Sequence, residues 1–266
     1  MASELFRSIV LGIIQGLTEF LPVSSSGHLE IVKYLFNDTQ IAEESLLETV
    51  VLHLATALAT VVVFRKDILQ IIQKFFQKGN QEEGRYVLLI IFSMVPAVVV
   101  GLLFESEIEQ LFDRNLLMVG GLLGVTGLLL LFSDRAANSD REFGIFGAFI
   151  IGIAQAIAIL PGISRSGATI AAALLSKHGR KEAARFSFLM VIPLIFGKVA
   201  KDLLDGEFNL ESISLLPLGI GFLSAFMTGI AACLWMIRLV QKSQLSYFAW
   251  YCFIAALGCF LLLMFQ

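Results

Sequence analysis

Apolar runs of bilayer-spanning length recur from one end of this chain to the other, and that repetition limits the fold more than any motif does. A helix needs about 20 mostly apolar residues to cross roughly 30 Å of hydrocarbon. Six segments approach this: 46–64, 86–104, 116–132, 186–200, 213–237 and 245–265. The fourth is the shortest and carries Lys198, whose long side chain can extend its ammonium to the interface from near a helix end. Of the 266 residues, 57% are apolar and 15% charged, against about 45–50% and 25% in a soluble domain. A soluble enzyme is excluded, and the chain reads as a single integral membrane domain over residues 1–266. A net charge of −3 leaves no broad basic surface for nucleic acid. Cys233, Cys252 and Cys259 lie within apolar stretches, so they read as small hydrophobic residues and not as a disulfide or metal framework. The first ten residues hold Glu4 beside Arg7 and lack the pattern of a cleavable signal peptide, so none is expected.

Two apolar stretches do not fit the spanning pattern. Segment 9–35 is interrupted at Leu21-Pro22 and Ser24-Ser25-Ser26-Gly27, and segment 143–175 at Leu160-Pro161-Gly162 and Ser164-Arg165-Ser166-Gly167. Each is too short for two crossings. Proline removes an amide donor, and the Ser/Gly cluster behind it suits a new helix start, which predicts a helix-loop-helix that enters the membrane and returns to the same side. Charge supports this arrangement, because cytoplasmic loops are rich in Lys and Arg. Loops 65–85, 133–142, 176–185 and 238–244 hold thirteen of the 19 basic residues, while Arg7, Lys33, Arg114 and Lys201 fall on the opposite side. Six spans plus two re-entrant pairs place all four basic loops on one side and both termini outside. A single crossing by 143–175 would move the basic 176–185 loop outside.

The two broken stretches also resemble each other. Gly12-Ile-Ile-Gln15, Leu21-Pro22, Ser24 and Ser26-Gly27 repeat as Gly152-Ile-Ala-Gln155, Leu160-Pro161, Ser164 and Ser166-Gly167, an offset of 140 with one compensating shift. Three spans separate them, and an odd number of crossings reverses the direction of entry. The expected fold is therefore an all-α polytopic membrane protein of six transmembrane helices and two re-entrant pairs. It is built from inverted repeats of about 1–132 and 143–266, with the two Ser-Gly tips meeting near mid-bilayer.

Charges at that depth are unfavourable by about 2.5–3.5 kcal/mol each on insertion scales and mark functional sites. Glu19 lies well inside the first stretch, and Arg165 is the one charged residue of the second. A structural ion pair joining the halves is the plainer alternative. Gln15 and Glu19 are one helical turn apart, and their oxygens suit Mg²⁺ or Ca²⁺ with water and phosphate oxygens completing the coordination. Ser24, Ser25, Ser26 and Gly27 offer hydroxyls and amides at a helix start that suit an anion, with His28 an imidazole base; simple helix capping would use the same serines. In the second loop, Arg165 sits among Ser164, Ser166, Gly167 and Thr169, a setting matched to phosphate oxygens. Phosphate satisfies both loops, and a bridging cation reconciles it with Glu19. His53, within a span, and His178, in a basic loop, are assigned no role.

The stretches Gln15-x-x-x-Glu19-Phe-Leu-Pro-Val-Ser-Ser-Ser-Gly-His28 and Pro161-Gly-Ile-Ser164-Arg165-Ser166-Gly-Ala-Thr169 resemble the two signature motifs of the undecaprenyl-diphosphate phosphatase, or bacitracin-resistance, family. Length and span pattern match as well. Gln15 stands where many members have Glu, and Ser26 where many have Thr. Type-2 phosphatidic acid phosphatases share a Ser-Gly-His element, but their second motif places a histidine six residues after the arginine, where this chain has Ala171. The resemblance implies a multi-pass enzyme of the bacterial plasma membrane, and the orientation set by the basic loops predicts that its site opens to the outer face. It would remove the terminal phosphate of undecaprenyl diphosphate to recycle the carrier for cell-wall synthesis. Its implied partners are the polyprenyl diphosphate and membrane lipids, with a homodimer left open. The implied catalytic residues are Glu19, Ser25, His28 and Arg165. Substrate contacts would come from Ser24, Ser26, Gly27, Ser164, Ser166, Gly167 and Thr169, and Mg²⁺ or Ca²⁺ would sit on Gln15 and Glu19. Ser25 as nucleophile with His28 as base is the favoured assignment; His28 itself or a metal-bound water stays open. A lipid-carrier flippase is the rival reading, since inverted repeats with broken helices are also a transporter architecture.

Overall fold

A computed structural model of the chain describes residues 2–35, 42–75, 81–111, 115–136, 143–204 and 214–265. Among these residues the regular structure is helical. In chain order the helices are α1 (Ala2–Phe20), α2 (Ser25–Leu35), α3 (Ala42–Val63), α4 (Arg65–Phe75), α5 (Gln81–Leu103), α6 (Glu105–Leu111), α7 (Leu116–Asp134), α8 (Ile145–Ile157), α9 (Arg165–Leu175), α10 (Arg180–Leu204), α11 (Leu215–Gln241) and α12 (Ser246–Met264).

Five of these helices, α5, α7, α10, α11 and α12, are long and apolar enough to cross a membrane. They correspond to five of the six expected spans. The expected 46–64 span lies on α3, whose Leu47–Val63 portion meets the same test only together with Arg65–Lys74 of α4, across a bend of 71°. Glu43, Glu44 and Glu48 make the first turns of α3 polar, so its apolar length is short. Helix α10 begins earlier than sequence suggests, at Arg180, because Arg180 bonds the carbonyls of Asp134 (3.0 Å) and Ala136 (3.3 Å) and needs no aqueous loop. Ile213, the first residue of the expected fifth span, lies outside the described residues. Apolar side chains such as Leu103, Leu215 and Ile254 are exposed on the outer surface, as lipid-facing positions require.

Both expected breaks are present. Helix α1 ends at Phe20 before Pro22, and α8 ends at Ile157 before Pro161. In each case the following helix packs back against its predecessor, α2 on α1 and α9 on α8. The first helix starts at Ala2, ahead of the apolar stretch at residue 9. Its polar first turns are held to α3, with Arg7 Nη2 3.0 Å from Glu48 Oε2 and Ser8 donating to Glu48 at 3.3 Å.

Helix α1 lies along α11 and α8 along α5, while α7 pairs with α12 and α3 packs on both α11 and α10. Gly12 permits the first close approach: a methyl there would lie 2.8 Å from Ser224 Cβ. Gly152 permits the second, its methyl falling 3.1 Å from the Pro96 ring. Small residues at helix crossings let backbones approach, which is the main source of helix association where the surroundings are already apolar.

Candidate active site

The two interruptions meet. Ser24 occupies the left-handed region (φ 69°) and turns its hydroxyl inward, accepting from Gly27 N at 3.3 Å and from Gly162 N of the other loop at 3.1 Å. Ser166 returns the link by donating to the Leu21 carbonyl at 3.3 Å. Ser164 caps α9, accepting from Gly167 N at 3.1 Å, with its hydroxyl 3.2 Å from that of Ser166. The second loop is also clamped by Thr126 of α7, which accepts from Ser164 N (3.1 Å) and donates to the Gly162 carbonyl (2.9 Å). Gly162 itself has φ +106°, a conformation open essentially to glycine.

This clamping brings the N-termini of α2 and α9 together over Glu19, near the end of α1. Arg165, first residue of α9, forms an ion pair with Glu19 Oε1. Ser25, first residue of α2, donates to Glu19 Oε2 at 2.8 Å, and Gln15 Nε2 donates to the same oxygen at 3.0 Å. His53 Nε2 of α3 lies 3.8 Å from it. Glu19 is buried, so these four neighbours replace the water that would otherwise solvate a carboxylate. Two helix N-termini and a guanidinium around one small space form a site suited to a multiply charged anion.

A family model described as "Bacitracin resistance protein BacA" matches residues 8–258. An undecaprenyl-diphosphatase of Christiangramia forsetii is 56% identical over 255 residues, covering 96% of this chain and 97% of that protein. Undecaprenyl-diphosphatases of Parabacteroides distasonis (46% identical, 95% and 96% covered) and Methanococcus vannielii (40%, 94% and 97%) align equally fully. The chain belongs to the BacA family.

Within this BacA chain, the expected site residues divide by what their polar atoms do. Glu19, Ser25, Arg165 and Gln15 form one connected cluster. Ser24, Ser164 and Thr169 are fully enclosed and use their hydroxyls to hold the loops; Thr169 donates to the Arg165 carbonyl at 2.8 Å and lies 2.6 Å from Ser187 Oγ. Ser26 lies at the α2 start, 3.3 Å from Ser24 Oγ. Gly27 and Gly167 are buried where the loops touch: a methyl on Gly27 would lie 3.1 Å from Gly162 Cα, and one on Gly167 3.3 Å from Pro22 Cβ.

Among the described contacts the Ser25 hydroxyl donates to Glu19, not to His28. His28 Nδ1 faces the Ser24 carbonyl at 2.8 Å, and Nε2 faces Tyr251 Oη of α12 at 2.8 Å, with the two rings stacked. A carbonyl only accepts, so Nδ1 carries the proton and, in the neutral ring, Nε2 accepts from tyrosine. Tyr251, Thr126 and His53 are the neighbours that motif reading omits. His53 does bond its own helix, at Thr49 O (2.8 Å), while still reaching toward Glu19. His178 is buried against Phe143, ring centroids 4.1 Å apart, away from the site.

Proposed function

We infer that the protein hydrolyses undecaprenyl diphosphate to undecaprenyl phosphate and inorganic phosphate, recycling the lipid carrier for cell-wall polymers and thereby conferring bacitracin resistance. The observation that carries this reading is the convergence of Ser25 and Arg165 on Glu19, in a chain aligned almost end to end with undecaprenyl-diphosphatases.

In the proposed mechanism the Glu19–Arg165 pair is the resting state. A diphosphate competes with Glu19 for the guanidinium, and bidentate Arg–phosphate contact is favourable. Glu19 Oε2, to which Ser25 already donates, then takes the hydroxyl proton as the serine oxygen attacks the terminal phosphorus, which leaves Oε1 for a cation. The bridging P–O bond breaks and undecaprenyl phosphate leaves, while Arg165, Ser26, Ser166 and the amides of the two helix starts stabilise the equatorial oxygens. His28, its Nδ1–H held by the Ser24 carbonyl, takes onto Nε2 a proton of the water that cleaves the phosphoserine, the Tyr251 hydroxyl giving way to that water, and phosphate is released.

A divalent cation fits the oxygen donors here. Gln15 Oε1 is buried with no hydrogen-bond partner among the described residues, one turn from the Glu19 carboxylate. These two residues would hold Mg²⁺ or Ca²⁺, and the ion would supply charge neutralisation for the diphosphate.

The proposed topology is six crossings and two re-entrant pairs in inverted halves, with the site opening to the outer face of the bacterial plasma membrane. Support comes from the matching α1–α11 and α8–α5 packing. Ser25 and Arg165 also occupy equivalent positions, 140 residues apart, on either side of Glu19.

The deciding experiment is phosphate release from undecaprenyl diphosphate by purified protein in detergent, with wild type, Ser25→Ala and chelator-treated samples. Release that Ser25→Ala reduces at least a hundredfold and chelation abolishes is expected. A flippase would leave the diphosphate intact.

A further inference from the structure

Two arginines flank the start of α5 on the basic side of the molecule, and they are used differently. Arg185 of α10 is committed: its Nε donates to Asp67 of α4 at 2.9 Å, and its guanidinium lies 4.9 Å from the centre of the Tyr86 ring of α5. Arg85, the residue before Tyr86, is exposed and makes no hydrogen bond or ion pair among the described residues. It stands at the edge of the apolar span Gly84–Leu103, where the membrane surface falls.

Leu88, Leu89 and Phe92 follow Arg85 at three, four and seven residues, which places all four on one face of the helix. That face is one wall of a groove of about 430 Å³, and Ile145 at the start of α8 is the other. Phe149, one turn further along α8, meets Phe92 with ring centroids 6.2 Å apart. This contact marks the deep end, about 10 Å below Arg85 at 1.5 Å per residue. Leu88 and Ile145 are each 65% exposed, so the groove faces outward from the bundle.

A groove on the outer face of a span is filled by lipid in any case, and its choice among lipids rests on the charge at its surface end. Here that end is an unpaired guanidinium, which holds phosphate oxygens through paired N–H donors. No carboxylate is among the lining residues to receive a head-group ammonium, and Glu82, one turn before Arg85, is exposed and not bonded to it.

We propose that this groove binds one anionic glycerophospholipid, its phosphate on Arg85 and an acyl chain against Leu88, Phe92 and Ile145. The site is separate from the Glu19 cluster and does not draw on the phosphatase reading. It bears on the second hairpin through α8, which packs along α5 and leads into the loop carrying Arg165. A lipid wedged into the α5–α8 seam braces that hairpin from its far end.

The test is native mass spectrometry of full-length protein released from detergent, with phosphatidylglycerol and phosphatidylcholine of identical chains. The first lipid bound is expected to be phosphatidylglycerol by about fivefold, the contribution of one basic residue near the membrane surface. Arg85→Gln should bring the two lipids to parity, whereas Lys66→Gln, the same charge change on α4, should leave the preference intact. A diazirine-bearing phosphatidylglycerol should label segments 85–92 and 145–149 of the wild type, a readout independent of any variant's folding. Phosphatidylglycerol should also raise the wild-type unfolding temperature by about 5 °C at saturating concentration, and inorganic phosphate should not. Equal binding of both lipids by the wild type, a preference that survives Arg85→Gln, or labelling confined to other segments overturns the site. A shift reproduced by inorganic phosphate would assign Arg85 to the free anion, and one that tracks dimer formation on sizing would assign the groove to a second copy; either result overturns the lipid.

Discussion

The two hairpins share a backbone plan and differ in chemistry. Each has a helix ending before a proline, a loop with one left-handed residue (Ser24 in the first, Gly162 in the second), and a new helix whose first residue points at Glu19. At that first position one hairpin offers a hydroxyl, Ser25, and the other a guanidinium, Arg165. Only the first hairpin has a carboxylate: where Glu19 would recur, the second has Ala158 and Ile159, and Ala168 stands opposite His28. In the proposed mechanism the scaffold needs both hairpins for geometry, while proton transfer is concentrated in the first and the guanidinium for the anion comes from the second. That division avoids placing two carboxylates beside the same diphosphate.

The largest effect should come from breaking the contact between the hairpins. Glu19→Gln and Arg165→Ala are each expected to lower kcat/KM about 10³-fold, with the double variant falling well short of the product, because the residues act as a unit. Their stabilities should differ: Glu19→Gln leaves a partly buried guanidinium without its carboxylate, a loss that stays below the about 3–5 kcal/mol of a fully buried pair. Thermal unfolding in detergent measures it. Full additivity of the two activity losses would show that the pair is not one functional element.

A smaller effect should follow from loosening only the second hairpin. Thr126→Val removes the acceptor for Ser164 N and the donor for the Gly162 carbonyl. Each buried group left unpaired is unfavourable by about 1–3 kcal/mol. Arg165 would then be held less well, and a loss of about tenfold in kcat/KM with a lowered unfolding temperature is expected. Gly162→Ala attacks the same loop through its backbone. At φ +106° a side chain is strained by about 1–3 kcal/mol, and the new methyl would lie 2.6 Å from the Val119 carbonyl. The expected outcome is lower thermal stability, whereas Gly84→Ala, within helix α5 and with open space around it, should not lower stability.

The difference between hairpins also explains what sequence could reveal. Pro22, Pro161 and the Ser/Gly runs act locally, through a missing donor and available caps, so the breaks and the ion pair of Glu19 with Arg165 were legible. Tyr251 was not, because 223 residues separate it from His28 and a tyrosine in an apolar span carries no motif of its own. Thr126 was hidden for the same reason, as a small polar residue within an apolar helix. His53, assigned no role from its place in a span, bonds its own helix at Thr49 O while its second nitrogen faces Glu19; spacing describes one side of a ring and not the other. The α3–α4 bend falls where the expected span ends, at Phe64; helix α4 was missed because Arg65, Lys66 and Asp67 at its start read as a basic loop.

The smallest expected effect tests whether the second hairpin keeps any remnant of the first one's chemistry. Gln155 sits where Gln15 does, but with no carboxylate a turn later. Gln15 Nε2 donates to Glu19, whereas both amide atoms of Gln155 are buried without a partner among the described residues. A buried amide without partners opposes folding, and an apolar isostere removes that penalty. Gln155→Met is therefore expected to raise the unfolding temperature by a few degrees and to leave kcat/KM within twofold. Gln15→Met, by contrast, should reduce activity and weaken its dependence on added Mg²⁺ or Ca²⁺. If Gln155→Met lost activity as Gln15→Met does, the second hairpin would have retained a polar function, and the division of labour between the two halves would have to be redrawn around both glutamines.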